Sequence, residues 1–224
     1  MSVTSNIKNI RANIDLKAKS VGRDLGEISI LAATKMVEIA KINQLPLCGI
    51  TLAGENRVQE FLQKYADSAL TKDITWHFIG VLQTNKVKQI VDKVDMIHSV
   101  DRVALVDEIE KQAGKIGKVM NVLIEINAEN EDSKSGVAVK DLPNLYKYVK
   151  AQSHLKLKGF MPVLPIDAPE KLYAEMFEIY EKYRAIDPEI SVLSMGMSDD
   201  YETAIKHGAT IVRLGSCLFG QRNY

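Results

Sequence analysis

Cysteine is scarce in this chain of 224 residues, with only Cys48 and Cys217 present. Two cysteines make no disulfide framework, suit a reducing compartment, and here form no C-x-x-C pair. The four histidines, His77, His98, His154 and His207, lack H-x-x-x-H or H-E-x-x-H spacing, so no metal site is expected. His77 and His98 fall inside apolar stretches, the ordinary setting of a hydrogen-bonded core histidine. There is no excess of charge. Lys plus Arg and Asp plus Glu both number 29, which argues against a surface built for nucleic acid or another polyanion. No apolar run approaches the length of a membrane span, and residues 1–20 have no signal-peptide core. The expectation is a soluble cytoplasmic protein. G-x-G-x-x-G does not follow the first strand candidate, as an open dinucleotide-binding sheet would require. G-x-S-x-G, the serine-hydrolase elbow, is absent as well.

What is present is alternation between short apolar runs and amphipathic stretches, in a chain that is 46% hydrophobic. Ile7, Ile10, Ile14 and Leu16 to Ala18 give a helix before the first strand, ending near Gly22. That strand is Ile30-Leu31-Ala32-Ala33-Thr34-Lys35, with Leu31, Ala33 and Lys35 on one face and Ile30, Ala32 and Thr34 on the other. Further strands are predicted at 48–53, 75–80, 96–100, 119–126, 157–161, 191–195 and 210–215. Helices are predicted at 38–45, 55–69, 84–94, 141–152, 168–185 and 199–207, with another capped by Asp101 and ending at Gly114. Eight strands alternating with helices predict a (β/α)₈ TIM barrel with an extra N-terminal helix, one domain over 1–224.

In such a barrel the site lies at the carboxyl ends of the strands. Lys35 ends the first strand. An amine at the mouth of an apolar sheet is partly desolvated, the setting in which lysine attacks carbonyls. Asn56 lies at the end of the second strand and either faces the mouth or caps the next helix. Gln83, Asn85 and Lys86 follow the third strand, as substrate contacts or as solvated polar groups. The polar loop 132–136 carries Lys134, either over the mouth or in solvent. Met195-Gly196-Met197-Ser198 and Arg213-Leu214-Gly215-Ser216 form the turns after the last two strands, where barrels most often hold a phosphate. Asp199 and Asp200 suit that reading only if they point away; the alternative is that Ser198 or Asp199 caps a helix, with Glu202 completing a capping box. Arg213 is placed to point into the barrel, where its guanidinium needs an acceptor or a ring nitrogen.

Taken together, these segments resemble the pyridoxal 5′-phosphate homeostasis proteins. The matching runs are Leu31-Ala32-Ala33-Thr34-Lys35, Gly54-Glu55-Asn56-Arg57-Val58-Gln59-Glu60, Trp76-His77-Phe78-Ile79-Gly80 and Leu82-Gln83-Thr84-Asn85-Lys86. Later in the chain come Ser133-Lys134-Ser135-Gly136, Met195-Gly196-Met197-Ser198, Val212-Arg213-Leu214-Gly215-Ser216 and Phe219-Gly220. They cover nearly the whole chain in family order. The resemblance implies a barrel like the N-terminal domain of alanine racemase, with pyridoxal phosphate held as a Schiff base on Lys35. It further implies that Ser198, Gly215 and Ser216 bind the phosphate and Arg213 meets the pyridine nitrogen. Asn56 and Met195 would line the ring, with Gly196 in the adjoining turn. Val81 and Phe160 depart from the family pattern and are expected in the pocket wall.

The function expected is a cofactor binder that keeps pyridoxal phosphate, and amino- and keto-acid pools, in balance. PLP-dependent apo-enzymes are the candidate recipients of the cofactor. The chain stops at Tyr224, soon after the eighth strand, where alanine racemase continues into a domain that supplies a second base; a monomer without fast turnover is therefore expected. The alternatives are a slow amino-acid racemase working from Lys35 alone, or a Schiff-base aldolase acting on a sugar phosphate.

Overall fold

Helix α1 (Val3–Ser20) opens the chain, and the Ser2 hydroxyl accepts from Ser5 N–H at 3.2 Å to cap its first turn. A computed structural model of the chain describes residues 2–67, 69–129 and 135–220. After α1 come β1 (Ser29–Ala33), α2 (Ile39–Ile42), β2 (Leu52–Glu55), α3 (Val58–Ala66), β3 (Thr75–Phe78), α4 (Val87–Ile90) and β4 (Met96–Val100). The second half runs α5 (Val103–Lys115), β5 (Met120–Asn127), β6 (Val137–Ala138), α6 (Leu142–Lys150) and β7 (Leu155–Val163). It finishes with α7 (Glu170–Arg184), β8 (Val192–Leu193), α8 (Tyr201–Lys206), β9 (Ile211–Leu214) and α9 (Ser216–Phe219).

All strand pairings are parallel, in the order β8-β7-β5-β4-β3-β2-β1-β9, with the two-residue β6 attached to the end of β5. The ring closes between β8 and β9. Thr210 N–H donates to Leu193 O at 2.9 Å, Met195 N–H donates to Ile211 O at 3.0 Å, and Ser194 bridges Ile211. The result is the expected eight-stranded barrel with an N-terminal helix. The stripe Val3, Ile7, Ile10, Ile14 and Ala18 is buried, and α1 lies against α8 and α9, so the first and last parts of the chain support each other.

The apolar residues form two layers. The larger lies between the strands and the helices; Phe61 of α3 meets Trp76 of β3 there edge-on, at 5.4 Å between ring centroids. Fully buried side chains such as Phe61, Phe78 and Phe160 contribute about 1.5–3 kcal/mol each. The smaller layer is inside the barrel: Met96, Leu123 and Met161, with Val192 against them. Alternation along β1 holds as predicted. Ala32 packs outward, while Ala33 and Lys35 face the barrel mouth.

Several boundaries differ from expectation for identifiable reasons. Residues 46–48 form a 3₁₀ turn that starts on Pro46 and ends at Gly49 in the left-handed region (φ 73°), so β2 begins only at Leu52. Glu55 then belongs to β2, and α3 starts at Val58. Asp101 does not cap α5; its carboxylate pairs with Arg102 at 2.6 Å and the helix begins at Val103. In β7 the pairing with β5 shifts register after Leu157, and Gly159 takes φ 147° there. That bulge reverses the alternation. Phe160 turns out to the helices, where its ring lies 5.2 Å from Tyr183, and Met161 turns in to the mouth. Phe160 is thus not in the pocket wall.

Candidate functional site

At the carboxyl ends of the strands lies a cavity of about 390 Å³, within the range of small-molecule sites. Lys35, Asn56, Ser198, Arg213, Gly215 and Ser216 all line it. Residues from β1, β2, β9 and the turn after β8 therefore meet at one place, as their positions after the strands require. The wall is completed by Ile79, Gly80, Val81, Met161 and Met197, among others. Lys35 and Asn56 also border a neighbouring cavity of about 350 Å³, together with Met36, Arg57 and Glu60.

Two of the predicted residues are elsewhere. Met195 is fully buried in the layer beneath the helices, because Ser194 faces inward and its successor faces out. Gly196 adopts φ 93°, and a Cβ there would stand 2.5 Å from Ala204 Cβ; its small size lets α8 approach rather than a ligand. Gln83, Asn85 and Lys86 lie on a 3₁₀ turn after β3 and line neither cavity. Ser133 and Lys134 lie outside the described residues.

The backbone around Lys35 is tightly held. The buried Lys64 ammonium donates to Thr34 O at 2.6 Å, to Glu55 Oε1 at 2.5 Å and to Glu60 Oε1 at 2.8 Å. Thr34 Oγ1 donates to Glu55 Oε1 at 2.7 Å, and Met36 N–H donates to the Glu60 carboxylate. Burial raises the Glu55 carboxyl above its ordinary value against the pull of Lys64 and Thr34. Glu60 is lowered: its partial burial is outweighed by Lys64 and the Met36 amide. Met36 sits at φ 58°, a left-handed conformation that costs a residue other than glycine roughly 1–2 kcal/mol. Beside it, Asn56 does not cap α3, which has no side-chain cap. Gly80 is pressed onto the Asn56 backbone, where a Cβ would lie 2.2 Å from Asn56 O.

On the opposite side, Ser198 Oγ accepts from Gly215 N–H at 3.1 Å and from Cys217 N–H at 3.4 Å, tying the two late turns together. Neither Ser198 nor Asp199 caps α8. Asp200 turns away, accepting from Met197 N–H at 2.5 Å and from the Tyr173 hydroxyl at 2.6 Å, whereas Asp199 remains in the cavity wall.

Arg213 Nη1 donates to Ser194 O at 2.5 Å and to Ser194 Oγ at 3.1 Å. Its burial brings the guanidinium down to about 10, with Asp200 and Glu125 opposing. Behind it, His98 Nδ1 lies 3.2 Å from Ser194 Oγ, and His98 Nε2 lies 2.9 Å from His77 Nδ1. The two histidines are core groups, as expected, and they continue a polar line from Arg213 across the barrel. Burial lowers His77 to about 4, and lowers His98 with help from His77 and Arg213. An unfolded chain protonates these rings below about pH 6.5, whereas the folded protein resists until near pH 4. The stability is therefore complete above pH 6.5 and is lost as pH falls, by roughly 3 kcal/mol for His77 alone near pH 4. Urea unfolding at pH 7 and pH 4.5 checks this: His77→Gln should lose less stability on acidification than the unsubstituted protein.

Glu125 and Ser135 were not singled out from sequence as site residues, yet both line the cavity, and the Ser135 hydroxyl donates to the Glu125 carboxylate. Burial raises Glu125 above its ordinary value. A lone carboxylate in the apolar run Val122-Leu123-Ile124-Glu125-Ile126 is the signal that would have found it.

Among the described residues no group of three or more His, Cys, Asp or Glu is placed to hold a metal ion, and no helix is long and apolar enough to cross a membrane. Residues 5–223 match the family model described as alanine racemase, N-terminal domain. A pyridoxal phosphate homeostasis protein of Aquifex aeolicus is 41% identical over 229 residues, covering 100% of both chains. One of Haemophilus influenzae is 35% identical over 232 residues, covering 100% of this chain and 98% of its own. Among solved structures, PipY of Synechococcus elongatus with PLP bound superposes with TM-score 0.84 at 27% identity, covering 98% of this chain and 100% of that one.

Proposed function

The chain belongs to the pyridoxal phosphate homeostasis proteins, built on the alanine racemase N-terminal domain, and on that basis we propose how it binds pyridoxal 5′-phosphate. Lys35 carries the cofactor as a Schiff base at the barrel mouth, and the bound protein serves the cell's PLP balance as a carrier. One observation supports this above the others: a half-buried amine shares a cavity of about 390 Å³ with a donor-rich turn and a half-buried arginine. PipY, the structural relative with PLP bound, is folded the same way over its full length.

The residues present fit the group. Ser198, Gly215 and Ser216 would hold the phosphate, since small side chains there leave backbone N–H groups and hydroxyls near the cavity. In this structure Ser198 Oγ already occupies the acceptor position facing Gly215 N–H and Cys217 N–H. Arg213 would meet the pyridine nitrogen, held in place by Ser194. Two cationic partners do not share one contact cheaply, so Arg213 would keep that nitrogen unprotonated and the ring a weak electron sink. When bound, the cofactor supplies an aldehyde for reversible capture of an amine. Asn56 and Met161 line the cavity on either side of it, and among the described residues Lys35 is the only lysine that lines the cavity.

A carrier differs from a racemase in what it does to substrate. Incubated in D₂O with each common amino acid, the PLP-loaded protein should exchange the α-hydrogen no faster than free PLP does. Sustained exchange at a catalytic rate would overturn the carrier reading in favour of racemase-like turnover. PLP-dependent apo-enzymes are the proposed recipients of the cofactor.

A further inference from the structure

We infer that Lys64, Glu55 and Glu60 are positioning residues for Lys35: they grip the backbone on both sides of it and so set the direction of its amine. The inference rests on the reading of Lys35 as the residue that carries the cofactor. Lys35 itself faces the cavity, while the backbone on either side of it is held by other groups. Before it, the Thr34 carbonyl accepts from Lys64 Nζ at 2.6 Å, and the Thr34 hydroxyl donates to Glu55 at 2.7 Å. After it, the Met36 N–H is held by the Glu60 carboxylate while Met36 stays at φ 58°. Lys64 joins the two halves, bonding to Glu55 at 2.5 Å and to Glu60 at 2.8 Å.

The arrangement is complete in donors. An ammonium has three N–H groups, and Lys64 places them on three acceptors: one carbonyl and two carboxylates. Glu55 is 0% and Lys64 8% exposed, so the pair has been taken out of water. Buried ion pairs are often matched or exceeded in stability by apolar residues of similar volume, so stability alone does not account for this one. What an apolar replacement could not do is bind the Thr34 carbonyl and, through Glu60, the Met36 amide. Released from Glu60, Met36 loses the contact that offsets its left-handed conformation, and the peptide after Lys35 is free to rotate. The start of Lys35's side chain then swings, and Nζ no longer enters the cavity at one fixed angle.

The test compares Glu60→Ala, Glu60→Gln and Lys64→Met with the unsubstituted protein. Measured are the PLP dissociation constant and rate of capture, the borohydride-fixed fraction on the Lys35 peptide, and the thermal midpoint. Glu60→Ala should weaken or slow capture by about tenfold or more, the scale on which a misplaced reacting group loses efficiency. Glu60→Gln keeps an oxygen for the Met36 N–H and should stay within about threefold of the original, a loss on the scale of one weakened hydrogen bond. Lys64→Met, similar in length and without charge, should lose capture as Glu60→Ala does; it carries the test if Glu60→Ala does not fold. A folded Glu60→Ala or Lys64→Met that captures PLP with unchanged affinity and rate overturns the clamp, whatever its thermal midpoint. Failure of the unsubstituted protein to label at Lys35 counts against the functional reading instead, so the two failures are told apart.

Discussion

Lys35→Ala abolishes the borohydride-fixed adduct with PLP and leaves the barrel folded. The covalent part of this expectation is all-or-none, because a Schiff base needs a primary amine and, among the described residues, Lys35 is the lysine in the cavity wall. The phosphate turns remain intact, so the variant should still bind PLP weakly and non-covalently. The structural part follows from position. Lys35 is half-buried and lies beyond the last residue of β1, and truncating it removes neither a core contact nor a hydrogen bond that holds the sheet. The cost to stability should stay within roughly 1 kcal/mol, the size of a change made away from the core. Intact-protein mass after reduction checks the first part; far-ultraviolet circular dichroism and a thermal melt check the second. An adduct of undiminished stoichiometry in Lys35→Ala contradicts the assignment.

Gly159→Ala is the second large effect, and it acts through the scaffold. A Cβ at this position would lie 1.8 Å from the carbonyl oxygen of Val192 and 2.8 Å from its carbon, both on the backbone of the neighbouring strand. Neither can move aside as a flexible side chain does. The residue also takes φ 147°, which a side chain rarely tolerates. Overpacking and backbone strain add, giving a loss of roughly 3 kcal/mol or more. The bulge is also what points Met161 at the cavity, so the folded fraction should bind PLP more weakly as well. Urea unfolding gives the first quantity and a PLP titration the second. A variant as stable as the parent would mean that the β7 and β8 backbones are farther apart than described.

The same glycine shows where sequence reasoning stops. The strand 157–161 is legible from its apolar run, but strict alternation carries Phe160 inward, and only the register shift after Leu157 turns it out. Sequence pattern starts the second strand too early because Cys48-Gly49-Ile50 is apolar; Pro46 and a left-handed Gly49 make it a turn instead. At Met96–Val100 both boundaries are recovered, although its pairing with β5 also shifts register between Ile97 and Val100. For the candidate site, chemistry at strand ends points to the mouth of the barrel. Lys35, Asn56, Ser198, Arg213, Gly215 and Ser216 come from distant stretches and share one cavity. Met195 and Gly196 share the motif but not the cavity: Met195 follows the inward-facing Ser194 and so turns outward, and Gly196 lies against α8. The ion cluster behind Lys35 left one trace: Lys64 follows Val58 and Phe61 at three-residue intervals, on the buried face of α3. A charge on that face calls for a buried partner. Glu60, four residues before Lys64 on α3, is a partner that spacing alone offers; that Glu55 of β2 is the other, only the fold provides.

The central claim is tested most directly by reducing the PLP-loaded protein with borohydride, digesting it and locating the pyridoxyl group by peptide mass. The expected result is one modification per chain, on the peptide containing Lys35. Label spread over surface lysines, or concentrated on a lysine outside the cavity, would contradict it.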